Sequence, residues 1–197
     1  MSVFSSIAAS GAANANAAAE SSQTIAASAL PVSATGQNDT KNAGAQYSIG
    51  IDLGTTHCAL SFVNKTASDG DQVVQGVLDI PQLTAPASVE AKPLLPSFLY
   101  LPHDSELTEA ERTLPGATAA DFITGEFART RGAATPIRLV SSAKSWLCHP
   151  GVDRRAGILP ADAPEEVSRI SPLTASIRYL EHLRRAWEQV HPEAPFA

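Results

Sequence analysis

The first forty residues contain no lysine or arginine, and their only acids are Glu20 and Asp39. A mitochondrial presequence needs arginines, and a secretory signal needs a basic start followed by an apolar run, so both are excluded. Charge is scarce in the whole chain as well, at 17%, against the usual quarter of residues in globular proteins. Only two cysteines occur, Cys58 and Cys148, and they form no C-x-x-C pair. Neither a disulfide framework nor a zinc site is signalled. No apolar run approaches the ~20 residues needed to span a bilayer. Lys and Arg number 14 against 20 acids, for a net charge of −6. That balance lacks the positive footprint that nucleic acid or an anionic membrane requires. The expectation is a soluble cytoplasmic protein that engages neither.

Residues 1–45 are dominated by Ala, Ser, Asn, Thr and Gln, and the few large apolar residues (Phe4, Ile7, Ile25, Leu30) follow no period. Such a segment buries too little surface to offset its ordering entropy, so it reads as a disordered low-complexity tail. A start codon placed too far upstream would give the same pattern. The domain is expected over residues 46–197.

The character changes at Tyr47. Residues 47–51 and 59–63 are short β-rich runs joined by Asp52-Leu-Gly-Thr-Thr56, which predicts a hairpin. Residues 73–80 and 97–101 are further strand candidates, and the polar stretch 102–120 is expected to be loop. Residues 125–131 and 136–147 predict short helices, the second with Thr135 as N-cap and Pro136 in its first turn. After a Gly- and Pro-rich connection over 148–163, Leu173, Ile177, Leu180, Leu183, Trp187 and Val190 recur at spacings of three and four. They predict an amphipathic helix opened by Ser171-Pro172. Strands followed by helices, without an internal repeat, imply one α+β or α/β lobe.

Ile49-Gly-Ile-Asp-Leu-Gly-Thr-Thr56 carries the chemistry. An apolar strand delivers Asp52 into a turn whose Gly54 lets the backbone approach a ligand closely. Successive N–H groups of such a turn, with the Thr55 and Thr56 hydroxyls, suit phosphate oxygens. Asp52 suits Mg²⁺, which takes one or two carboxylates, waters and substrate phosphates. A Walker loop is absent, because no G-x-x-x-x-G-K-[ST] follows.

The same peptide resembles the first phosphate-binding motif of the actin-like ATPase fold, shared by actin-type filament proteins, sugar kinases and the heat-shock protein 70 chaperones. Four later segments resemble the chaperones in the right order: Leu94-Leu-Pro-Ser-Phe-Leu-Tyr100, Thr124-Gly-Glu-Phe-Ala128, the 136–147 run with Ala143-Lys144, and Pro164-Glu-Glu-Val167 opening the next helix. The resemblance implies an α/β, ribonuclease H-like fold: the first lobe of an actin-like ATPase, incomplete. It also implies a function, the N-terminal part of an ATP-dependent chaperone that couples Mg-ATP hydrolysis to client folding.

By that resemblance, Asp52 sits at the Mg²⁺ site, and Gly54, Thr55, Thr56 and the His57 amide hold the β- and γ-phosphates of ATP. Lys144 orients the attacking water and offsets charge developing on the γ-phosphoryl group. The implied partners are unfolded client proteins, a J-domain co-chaperone and a nucleotide-exchange factor. Departures from the family are Ser145 for an arginine, Ser142 for an aspartate, His57-Cys58 for Tyr-Ser or Asn-Ser, a longer 102–121 stretch, a shorter 148–163 link, and Pro172 within a helix. The family's second phosphate loop, adenosine motif and peptide-binding domain are not found in the sequence, which reads as a fragment expected to be inactive as an ATPase on its own. A sugar kinase, an actin-type filament protein and a degenerate nucleotide-binding module remain alternatives.

Overall fold

The β-rich start pairs with itself. In the computed structural model, which describes residues 45–69, 71–118 and 120–196, the chain runs through β1 (Tyr47–Leu53), β2 (His57–Asp69), β3 (Gln72–Val77), β4 (Ile80–Ala85) and β5 (Ser88–Lys92). It continues through β6 (Leu95–Pro96), β7 (Leu99–Tyr100), α1 (Glu109–Arg112), β8 (Ile123–Thr124) and α2 (Glu126–Ala134). β9 (Leu139–Val140), α3 (Ala143–Leu147) and α4 (Pro172–Val190) complete it. The low-complexity segment, expected to be disordered, lies outside the described residues apart from its last position, Ala45.

β1 and β2 form the expected antiparallel hairpin, with Ile49 opposite Phe62, Asp52 opposite Ala59 and Leu53 opposite Cys58. β3 takes the other edge of β2, and β6 pairs with His57 and Cys58 beyond the end of β3. β4 and β5 make a second hairpin, and β7 lies between β8 and β9 in a third sheet, all antiparallel. The result is a mixed α/β arrangement of small sheets against one long helix.

Four sequence expectations are corrected. The 73–80 strand breaks after Val77, because Leu78 turns into the core and Ile80 begins the β4 hairpin. Residues 136–147 are not one helix. Pro136 does open a turn, of the 3-10 type, but Leu139 and Val140 are drawn into strand pairing with β7, and the helix restarts only at Ala143. Pro164-Glu-Glu-Val167 does not start a helix. The helix begins at Pro172, whose missing N–H costs nothing in a first turn, so this proline initiates rather than interrupts. Finally, the 102–120 loop contains the short α1, closed by a capping box between Thr108 and Glu111.

α4 forms where its period predicts, but the buried face is not the expected one: of the six recurring residues only Leu183 and Trp187 are buried, and Val190 is exposed. Ser171 caps it by accepting a hydrogen bond from the Thr174 N–H, and Ala175, Tyr179, Leu183, Ala186 and Trp187 are buried along one face. That face joins Cys58, Leu60, Leu78, Ile80, Leu95, Leu99 and Val140 in the main core. Ile177 and Leu180 of the same stripe stay exposed. At the far end Trp187 packs edge-on to Tyr47 of β1 and Phe62 of β2, and stacks on His191. The hairpin that carries Asp52 and Gly54 is thereby fixed to α4.

A second anchor is polar. Gln82 of β4 is fully buried: its Nε2 donates to the Leu94 carbonyl, and its Oε1 accepts from the Glu126 N–H at the start of α2. Gly125, at φ 85°, precedes that helix, and a Cβ there would meet Gln82 Oε1 at 2.6 Å. Glycine is required at this helix start on both counts.

Candidate functional site

The turn between β1 and β2 is closed so tightly that only glycine fits at position 54. A Cβ on Gly54 would lie 2.1 Å from the His57 carbonyl oxygen. Ser97, buried between β6 and β7, braces the turn from beneath. Its hydroxyl donates to the Gly54 carbonyl at 2.9 Å, and its N–H donates to the Thr56 carbonyl at 2.8 Å. The carbonyls of the turn are thus drawn inward. Thr55 and Thr56 are exposed, and among the described residues nothing hydrogen-bonds to their hydroxyls. His57 is half-buried where β2 begins.

Directly after the turn, Cys58 is fully buried and its thiol lies 3.2 Å from the Ser97 hydroxyl. Burial pushes this thiol above its ordinary range. Hydrogen bonds at Ser97 and Gly54 pull it back, the Asp52 carboxylate pushes it up, and the Lys144 ammonium pulls it down. Two charges from opposite ends of the domain therefore act on one sulfur. Asp52 and Lys144, ninety-two positions apart, are both exposed, and among the described residues neither is held in an ion pair.

Lys144 is carried by α3. Ser142 takes a left-handed conformation at φ 53° and aims the helix, and Ala143 buries itself in the core that holds Cys58. Lys144 then follows on the solvent side. Of the residues expected to act together, Asp52, Gly54, Thr55, Thr56 and His57 share one end of the β1–β2 hairpin, while Lys144 follows Ala143, which packs in the same core cluster as Cys58.

Sequence reasoning missed Ser97 and treated Cys58 only as a departure from a family pattern. Ser97 lies within Leu94-Leu-Pro-Ser-Phe-Leu-Tyr100, and nothing in a strand-like run marks one hydroxyl as a brace. Beneath the same region, the Tyr179 hydroxyl is buried without a partner among the described residues. Its pKa is driven far up by burial and, secondarily, by Cys58.

Among the described residues no three His, Cys, Asp or Glu side chains gather into a metal-binding group. A lone exposed carboxylate fits Mg²⁺ held mainly by water and phosphate oxygens, not a dedicated cage. The tight turn with outward hydroxyls fits phosphate oxygens. A cavity lies elsewhere, between the segment around Arg112–Thr118 and Phe122 on one side and α4 on the other. No protein-family model and no curated protein matches this sequence. Among the described residues no helix is long and apolar enough to cross a membrane.

Proposed function

We propose that this chain contributes the first phosphate-binding element of an actin-like ATPase of the heat-shock protein 70 type, acting in an ATP-dependent chaperone. The observation that carries the reading is the tight Gly54 turn, braced from beneath by Ser97 and carrying the exposed Thr55 and Thr56 beside Asp52.

In this reading the N–H groups of Thr55, Thr56 and His57, with the two threonine hydroxyls, take the β- and γ-phosphate oxygens of ATP. Asp52 holds the waters around Mg²⁺, which neutralises phosphate charge when bound. Lys144 orients the attacking water and meets the negative charge that grows on the γ-phosphoryl oxygens. Positioning and electrostatics of this kind supply most of the catalysis in phosphoryl transfer. Ser97 and Cys58 are positioning residues: they keep the turn carbonyls turned away from the phosphates. The partners of such a protein are unfolded clients, a J-domain co-chaperone and a nucleotide-exchange factor.

Titration of the ¹⁵N-labelled chain with Mg-ATP tests the site. Saturable amide shifts are expected at Gly54, Thr55, Thr56, His57 and Lys144, and Asp52→Asn should reduce their magnesium dependence. Unchanged signals at these residues in millimolar Mg-ATP would overturn the proposal.

A further inference from the structure

A cavity of about 510 Å³ lies between the stretch that carries α1 and the outer face of α4, away from the β1–β2 turn. Its size falls within the ~300–1,000 Å³ common for small-molecule sites. Its lining holds four arginines against two glutamates, Glu181 and Glu188. That is a local surplus of two positive charges in a chain whose net charge is −6.

The arginines are not equally engaged. Arg178 pairs with Glu181 at 2.9 Å and lies over the Phe122 ring at 4.6 Å. Arg184 pairs with Glu188 at 3.1 Å. Arg112 and Arg185 are in no ion pair among the described residues, and the Arg112 Nε is buried there without a hydrogen-bond partner. A buried guanidinium N–H without an acceptor is costly, and an absent ion or ligand in the adjoining cavity is one way such an orphan is satisfied. Leu83, Leu114 and Phe122 add apolar wall.

We propose that this cavity is a binding site for a small organic anion, one carrying a phosphate or carboxylate on an apolar body. Arg112 and Arg185 take the anionic group; the planar guanidinium suits two-point contact with either oxyanion. Phe122, already stacked under Arg178, takes the apolar part. The chain itself supplies little to fill such a site, because the segment preceding the domain holds only two acids in its first forty residues, Glu20 and Asp39.

The test uses the full chain in magnesium-free buffer, with phenyl phosphate, benzoate, inorganic phosphate and benzyl alcohol as probes, read by calorimetry and by NMR signals of the arginine Nε–H groups and the Phe122 ring. One of the two aromatic anions should bind saturably at one site. Inorganic phosphate should bind at least tenfold more weakly, and benzyl alcohol should give no saturable shift. The stronger of phenyl phosphate and benzoate identifies which oxyanion the site takes. Arg185→Gln, on the exposed side of α4, should lower that affinity at least tenfold while the unfolding transition stays cooperative, and Arg112→Gln should do the same. Asp52→Asn should leave it unchanged, which separates this site from the proposed nucleotide turn. Absence of saturable binding by both aromatic anions, equal affinity in Arg185→Gln, or benzyl alcohol binding as well as the anions would each overturn the proposal.

Discussion

Truncating Trp187 to alanine removes the strongest link between α4 and the hairpin that carries the candidate site. The indole is fully buried. Its ring centroid lies 5.1 Å from Tyr47, 5.5 Å from Phe62 and 4.0 Å from His191. Its Nε1–H donates to the Ala194 carbonyl at 2.6 Å. Removing a fully buried aromatic side chain costs about 3–5 kcal/mol through lost transfer energy and the cavity left behind. Aromatic pairs add about 0.5–1.5 kcal/mol each beyond buried area, so three neighbouring rings argue for the upper half of that range. Domains of this size are stable by only about 5–15 kcal/mol. The variant should therefore lose a large part of its stability. Urea unfolding followed by circular dichroism gives the number. Trp187→Phe should cost less, because the ring contacts persist and the main loss is the bond to Ala194, about 1 kcal/mol. A loss below about 1 kcal/mol for Trp187→Ala would refute the docking of α4 on β1 and β2.

Three further outcomes are expected. Gly54→Ala should weaken Mg-ATP binding at least tenfold in the NMR titration while the far-ultraviolet spectrum stays native, since the added carbon meets the His57 carbonyl and must distort the turn; unaltered binding would mean the turn geometry is irrelevant to phosphate. Gln82→Leu should destabilise the protein by roughly 2–4 kcal/mol in urea unfolding, because it leaves the Leu94 carbonyl and the Glu126 N–H without their partner; a neutral substitution would contradict the buried anchor. His182, whose Nε2–H donates to the Pro81 carbonyl while its Nδ1 accepts from the Thr124 hydroxyl, is held below the ordinary imidazole range, first by burial and also by Arg185, against the opposing Pro81 bond. The unfolded ring takes up its proton near pH ~6.5 while the folded one does not, so stability should decline as pH falls below that value and be independent of this group above it. His182→Gln should flatten that decline, and an unchanged slope would refute the assignment.

The hairpin and α4 were legible because their signals are local. Alternation from Tyr47 to Val63 marks the strand pair and the recurrence from Leu173 to Val190 marks the helix, but the recurrence misplaces the buried face of α4, where Ala175, Tyr179 and Ala186 go inside and Ile177, Leu180 and Val190 stay exposed. β4 and β5 were not legible: Pro81 sits inside a strand, Pro86-Ala87 makes the turn with Ala87 at φ 55°, and β4 owes its place to Gln82 reaching two other segments. The 136–147 run reads as helix by composition, yet Leu139 and Val140 find more partners beside β7 than in a further turn of helix. Within the candidate site, Asp52 and Gly54 could be read from the turn chemistry. Lys144 could be linked to them only through resemblance, because spacing does not encode the left-handed Ser142 that aims α3. Ser97 carried no signal at all.

The most direct measurement replaces Mg²⁺ with Mn²⁺ and records paramagnetic broadening of amide signals in the presence of ATP. Broadening falls steeply with distance from the metal, so it reports which residues surround a bound nucleotide. The account predicts strong, ATP-dependent broadening at Asp52, Gly54, Thr55, Thr56 and His57, together with Lys144. Broadening confined to other acidic surface residues, or present at the turn but absent at Lys144, would contradict the claim that these two parts of the sequence form one phosphate site.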